Sequence, residues 1–334
     1  MLIICFSMIY KIYTSIYQPN IVLASDYNEE YLYIPTGSNF NDVLDILNQK
    51  GLLINTESFK WLSKTKNYTE NIKPGRYKIN RELNNNDLIN LLRSGNQKPI
   101  NLSFNNVRRI EDLAGKISRQ IEADSTKIMS ILHDTVFLNN NNLNQNNVAC
   151  IFIPNTYEFY WNTNANDFVN KMLNEYKFFW NKKRLNKAKD IGLSIIEISV
   201  LASIVEKEQN IKKDEQPMIA KLYLNRLKKG MKLESDPTLV FALNDFTIKR
   251  VLNKDKKIKS KYNTYMYKGL PPGPICIPSI SAIDAVLNPK EHNYLFMCAK
   301  EDFSGYHNFA RTYAKHLINA RKYQKELNKR KIMR

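Results

Sequence analysis

SIIEISVLASIVEKEQN, residues 194–210, is the most apolar helical stretch of the chain, and the fold is read outward from it. Ser194 and Glu197 have the S-x-x-E spacing of a capping box, which marks the helix start and gives Glu197 a structural task. Ile198, Leu201, Ala202 and Val205 recur at i, i+3, i+4 and i+7 and define a buried stripe. At about 100° per residue, Glu208 falls about 20° from Leu201 and continues that stripe, whereas Glu206 falls about 140° away. A carboxylate at the end of an apolar stripe is costly unless it is paired, protonated or facing a cleft. Burial raises a carboxyl pKa, which is how a glutamic acid stays protonated to donate to a glycosidic oxygen near neutral pH. Periodicity leaves two placements for Glu208: a proton donor in a cleft, or a part-exposed carboxylate at a frayed helix end. Glu206 reads as a solvated face.

Upstream, the sequence alternates strand and helix signals. YLYIP (31–35) alternates as a short strand, and Ser38 opens a helix in FNDVLDILNQKG that Gly51 stops. GRYKI (75–79) leads into the helix NNNDLINLLRSG, closed by Gly95, and INLSF (100–104) precedes a helix over about 109–121. The Asn-rich stretch 139–147 reads as a surface loop and a seam. Downstream, 167–180 forms an amphipathic helix, YNTY (262–265) and GLPPGPICIP (269–278) a rigid loop region, and NYLFMCAK (293–300) a buried strand. A basic helix over about 311–330 closes the chain. The fold class is α+β.

Composition narrows the function. The 334 residues are 43% hydrophobic and 25% charged, which excludes disordered, collagenous and disulfide-scaffold classes. No glycine-rich phosphate loop occurs, so the nucleotide-cradle classes are out. The net charge of +18 raises nucleic acid, anionic membrane or acidic polymer as partners, with coding bias toward Lys and Asn as the bland alternative. With no RNA- or DNA-binding motif present, nucleic acid is not expected. Cys5, Cys150, Cys276 and Cys298 are scattered without metal-ligand spacing, so neither metal nor cofactor is expected. Residues 1–17 begin almost wholly apolar but carry Lys11 and are shorter than the roughly 20 residues of a spanning helix. A shortened membrane anchor, a degenerate signal peptide with VLAS (22–25) as cleavage candidate, and an apolar tail all fit.

LASIVEKE (201–208), NRLKKGMKLESDPT (225–238), YNTY with GLPPGP (262–274) and HNFARTYAKH (307–316) occur in order. Together they resemble the endolytic murein transglycosylases of the MltG (YceG-like) family, over nearly the whole chain. The resemblance implies three regions: a short membrane anchor and linker over 1–26, an α+β region with a small LysM-like module over 27–148, and a mixed α+β catalytic domain over 149–334. It also implies a lytic transglycosylase acting on peptidoglycan glycan strands, single-pass in the cytoplasmic (inner) membrane and facing the periplasm or envelope. Glycan-polymerising synthases are the implied protein partners. The family's catalytic glutamate falls on Glu208, the residue that periodicity singles out.

Weaker candidates come from the same motifs. Asn225, Asp236, Tyr262, Asn263 and Tyr265 are types that hydrogen-bond or stack on sugars, and each serves equally as structural support. Arg226 fits a muramic carboxylate or an ion pair with Asp236, and His316 fits a site-orienting or a core histidine. Two positions depart from the family pattern: Gln209 stands for the usual Thr, and Leu317 for the usual Asn. Two alternatives stay open. One is a lysozyme-like hydrolase pairing Glu208 with Asp236 or Glu206; the other is a non-catalytic wall-assembly protein.

Overall fold

The computed structural model describes residues 2–23, 28–248 and 251–330; of the VLAS segment, residues 24 and 25 lie outside them. The fold is mixed α+β, with short two-stranded sheets set among helices. The chain divides into two compact units. One comprises Met1–Leu102, Ile117–Asp124 and Thr156–Ala165; the other comprises Ser103–Lys116, Ser125–Asn155 and Asn166–Arg334.

The first unit carries helix α1 (Leu2–Tyr17), strand β1 (Glu29–Ile34), helices α2 (Phe40–Gln49) and α3 (Thr56–Thr65), strand β2 (Gly75–Asn80) and helix α4 (Asn85–Ser94). Strand β3 (Ile100–Ser103) pairs with β4 (Thr156–Phe159). Strands β1 and β2 are antiparallel with Leu32 opposite Tyr77, and both side chains are buried. Leu32 and Ile34 join Val43, Leu47, Phe59, Ile79 and Leu88 in one core. Helix α2 is capped by Asn39 and Asp42 in a reciprocal capping box, one residue beyond the Ser38 start read from sequence. Asn wins because its carboxamide reaches the N–H groups of both Asn41 and Asp42. Gly95 ends α4 at φ 73°, as its position suggested. Helix α3 was not read from the sequence: it buries only Phe59, Leu62 and Ser63 from an otherwise polar segment.

Helix α1 is 16 residues, about 24 Å long. Among the described residues, no helix is long and apolar enough to cross a membrane. Ile3, Phe6, Met8 and Ile9 are nevertheless exposed, and α1 packs against α3 and α4.

The second unit holds α5 (Ile110–Ser118), α6 (Ser125–His133), α7 (Thr135–Asn140), α8 (Ala165–Phe179), α9 (Lys182–Ile191), α10 (Ile195–Glu208), α11 (Gln216–Lys228), α12 (Asp236–Leu243) and α13 (Ile280–Leu287). The hairpin β5 (Phe296–Ala299) and β6 (His307–Ala310) and helix α14 (Tyr313–Lys329) complete it. Helix α10 is its centre, packed against α9, α11, α12 and α13. The Ser194–Glu197 capping box is present. Every residue from 198 to 205 is buried, so α10 is enclosed all round and not merely along one stripe. Its two interior serines stay satisfied: Ser199 bonds the Ile195 carbonyl, and Ser203 bonds the Val200 carbonyl while accepting from the Ile275 N–H. The proline loop 271–278 is thereby pinned to the helix.

Candidate active site

Helix α10 ends where its carboxylates stand. Glu206 turns away and accepts from the backbone N–H and hydroxyl of Ser279, the N-cap of α13. Gln209 is the C-cap, buried and extended at φ −144° and ψ 92°. Its amide donates to Glu215 Oε2 and to the Gly305 carbonyl, both at 2.8 Å, and accepts from the Lys212 N–H at 2.9 Å. The Gln216 amide closes the set by donating to the Gln209 carbonyl at 2.8 Å. The departure from Thr at 209 thus supplies a longer amide that ties the end of α10 to two later segments.

Glu208, the last residue of α10, sits half-buried in the wall of a cavity of about 620 Å³. The Tyr223 hydroxyl donates to Glu208 Oε1 at 2.7 Å and the Ser235 hydroxyl donates to the same oxygen at 2.5 Å. Oε2 has no protein partner among the described residues. Burial pushes the Glu208 carboxyl above its usual range; the Ser235 and Tyr223 hydrogen bonds oppose this, the Asp236 charge adds to it, and His307 opposes it. The Tyr223 hydroxyl is driven well above its ordinary value by burial and by Glu208, and so stays a donor.

Ser235 reaches Glu208 because of its local backbone. It occupies the N-cap position of α12, yet its side chain makes no cap hydrogen bond. Glu234 before it adopts φ 55°, a left-handed conformation that a non-glycine residue rarely takes. Thr264 holds that turn: its carbonyl accepts the Glu234 N–H and its hydroxyl accepts the Ser235 N–H at 3.0 Å. Beside it, Asn263 is fully buried, donating to the Lys256 and Ile258 carbonyls and accepting the Tyr265 N–H. Tyr265 then donates to Asp236 Oδ1 at 2.5 Å. The LESDPT and YNTY motifs therefore brace each other.

Of the residues named from sequence, Arg226, Asp236, Tyr265 and His316 line the cavity with Glu208; Asn225, Tyr262 and Asn263 are not in its wall. Asn225 donates to the His292 and Tyr294 carbonyls, and Tyr262 packs on Phe241 with ring centroids 4.8 Å apart. Arg226 pairs with Glu234 at 3.1 Å, not with Asp236; the same Nη1 also donates to the Lys232 and Leu233 carbonyls, and Nε donates to the Leu295 carbonyl. His316 stacks on Phe296 at 5.5 Å, and its pKa is lowered by burial and by the Arg226 charge.

Four residues of the site were not singled out from the sequence for these roles: Tyr223, Ser235, Glu215 and His307. Glu215 Oε2 lies 2.7 Å from the His307 ring Nδ1, and Oε1 accepts the His307 N–H at 2.8 Å. Burial alone would raise the Glu215 carboxyl, but the His307 and Gln209 hydrogen bonds outweigh it and hold the pKa below the usual range. His307 lines the same cavity as Glu208. Among the described residues, no group of three or more His, Cys, Asp and Glu side chains could hold a metal ion.

A family model described as the YceG-like family matches residues 32–322. The chain belongs to the YceG-like family. Among its relatives is the endolytic murein transglycosylase of Bacillus subtilis (strain 168), 28% identical over 288 residues covering 80% of this chain and 78% of that protein. The endolytic murein transglycosylase of Streptococcus pneumoniae (serotype 2, strain D39) is 24% identical, over 80% of this chain and 53% of that protein. The chain thus spans about half the length of the pneumococcal relative. A crystal structure of a YceG-like protein from Listeria monocytogenes superposes with a TM-score of 0.58 at 26% identity, covering 87% of this chain and 98% of that one. All four motifs that line or brace the cavity fall within the residues matched by the YceG-like model.

Proposed function

We infer that this chain is a peptidoglycan lytic transglycosylase, with Glu208 as the single acid and base. The observation that carries this is the state of one carboxyl: Glu208 stands in a cavity of about 620 Å³, with its pKa raised and only Oε1 occupied. That volume lies in the range of sites that enclose small ligands, about 300–1,000 Å³.

In the reaction, protonated Glu208 gives its proton to the glycosidic oxygen between N-acetylmuramic acid and N-acetylglucosamine. The C1–O4 bond breaks and an oxocarbenium-like centre develops at the muramic C1. The sugar's own 2-acetamido group is placed to stabilise that centre. Glu208, now a carboxylate, takes the proton from the C6 hydroxyl as O6 bonds to C1. No water is consumed, a 1,6-anhydro end is left, and the acid is regenerated. A hydrolase of the inverting kind needs a second carboxylate holding a water. Glu206 is committed to Ser279, and Asp236 accepts from Tyr265, which favours the one-carboxylate route.

The finer parts of the proposal have their own supports. The β1–α2–α3–β2 order supports a LysM-like wall-binding module in the first unit. The exposed apolar residues of α1 support attachment to the cytoplasmic membrane, with the catalytic unit on the envelope side; polymerising synthases as partners rest on the family resemblance alone. Cleavage within strands follows from the relatives' endolytic names.

Mass spectrometry of products from purified glycan strands tests the reaction. 1,6-Anhydro ends are expected from the wild type and none from Glu208→Gln. Reducing ends would make it a hydrolase, and intact strands with retained wall binding would make it an assembly protein.

A further inference from the structure

Beside the Glu208 cavity, the same unit has a second and smaller one of about 250 Å³, and Asp236 lines both. Its walls are apolar at Val240, Phe246 and Ile275, and two cations reach into its lining, Arg108 and Lys207. Lys207 immediately precedes Glu208 on α10 and lies about 100° around the helix from it. One carboxylic acid thus looks into the first space while the neighbouring ammonium looks into the second.

Both cations are half-buried, and neither forms an ion pair among the described residues. Lys207 donates to the uncharged Asn106 Oδ1 at 3.0 Å, and the Arg108 guanidinium lies over the Phe246 ring at 4.6 Å. Asp236, the acid at the junction, is engaged by the Tyr265 hydroxyl and forms no ion pair with either among the described residues. Arg226, in contrast, commits its Nε and Nη1 to backbone carbonyls and to Glu234.

A guanidinium and an ammonium on an aromatic-walled pocket, outnumbering the single Asp236 carboxylate and paired with no acid among the described residues, suit a carboxylate. We propose that this pocket is an anion subsite that takes a carboxylate of the substrate strand next to the bond being broken. Two sources carry that chemistry: the free lactyl carboxylate of a muramyl residue stripped of its peptide, and a carboxylate of the peptide stem. The inference rests on the transglycosylase reading and specifies which substrate features that site selects.

The test uses the full chain with two substrates, stem-bearing strands and strands stripped by an amidase, following anhydro-end formation. Arg108→Gln and Lys207→Gln are each expected to raise KM about 10-fold with kcat little changed, on the scale of a lost charged hydrogen bond. Arg108→Lys should recover most of the affinity, and its melting temperature beside that of the Gln variants guards against a folding artefact. A KM rise confined to stripped strands assigns the lactyl group, and one confined to stem-bearing strands assigns the peptide. Unchanged KM on both, or a fall in kcat alone, while the wild type yields anhydro ends, overturns the subsite and leaves the reaction standing. A wild type that yields no anhydro ends from either strand overturns both.

Discussion

The Tyr223 hydroxyl donates to Glu208 Oε1 at 2.7 Å, joining the end of α10 to the middle of α11, and Ser235 adds a second hydroxyl to the same atom. Both bonds favour the ionised carboxyl, and burial works against them. The acid strength of Glu208 is the balance of the two.

Replacing Glu208 by Gln is expected to lower strand cleavage at least ~100-fold, the scale of a lost general acid. The fold should tolerate it, since a Gln oxygen accepts from Tyr223 and Ser235 as well. The sign for stability follows from the raised pKa of Glu208. The native state holds its proton longer than the unfolded chain does. Its contribution is therefore present below the unfolded carboxyl pKa and is lost as pH rises through the folded one. Melting curves should show Glu208→Gln matching the wild type in acid and gaining on it as pH rises.

Ser235→Ala and Tyr223→Phe each remove a hydrogen bond that lowers the Glu208 pKa. The pH–rate profile is the measurement. Its basic limb, where Glu208 loses the proton it must donate, should move to higher pH in both variants. A drop in rate with the limb in place would assign these hydroxyls to packing.

Glu215 accepts from the His307 ring, the His307 N–H and the Gln209 amide. Glu215→Gln should cost about 2 kcal/mol at neutral pH, the scale of hydrogen bonds to a buried charge. With its pKa held below the usual carboxylate range, the contribution is present above the unfolded pKa and lost as pH falls through the folded one. Urea melts at pH 7 and near pH 3 should show the gap between wild type and variant closing in acid.

Gly273 is close enough to the Asn146 carbonyl that an added Cβ would overlap it, with the Tyr262 hydroxyl 2.9 Å away on the same side. Gly273→Ala is expected to destabilise by about 1–3 kcal/mol, as overpacking does. A midpoint shift in denaturant at unchanged slope is the readout.

Helix α10 and the place of Glu208 were legible because a capping box and an apolar period are local signals. The enclosure of α10 on every side was less so. The stripe through Leu201 drew attention from Val200 and Ile204, which are apolar on other faces and equally buried. Tyr223 and Ser235 were not legible as partners of Glu208, because 15 and 27 residues separate them from it in sequence and only the fold brings them together. Arg226 shows the opposite difficulty. Its charge is visible in any sequence, but the carbonyls of Leu295, Lys232 and Leu233 that absorb it carry no residue-type signature. Asn225 and Asn263 are similar: polar side chains in shared motifs whose amides hold loop backbone. The family resemblance pointed to Glu208, and the side chains closest to that acid were its unremarked neighbours.

With Oε1 saturated by two hydroxyls, a single atom, Oε2, is left to meet the sugar. In the proposed reaction, the proton that leaves for the glycosidic oxygen and the proton that returns from the C6 hydroxyl must then pass through the same point in space. The enzyme has nothing to rotate between the two halves of the cycle. The departing sugar must vacate that point before the C6 hydroxyl can swing into it, so the traffic between the half-reactions belongs to the substrate.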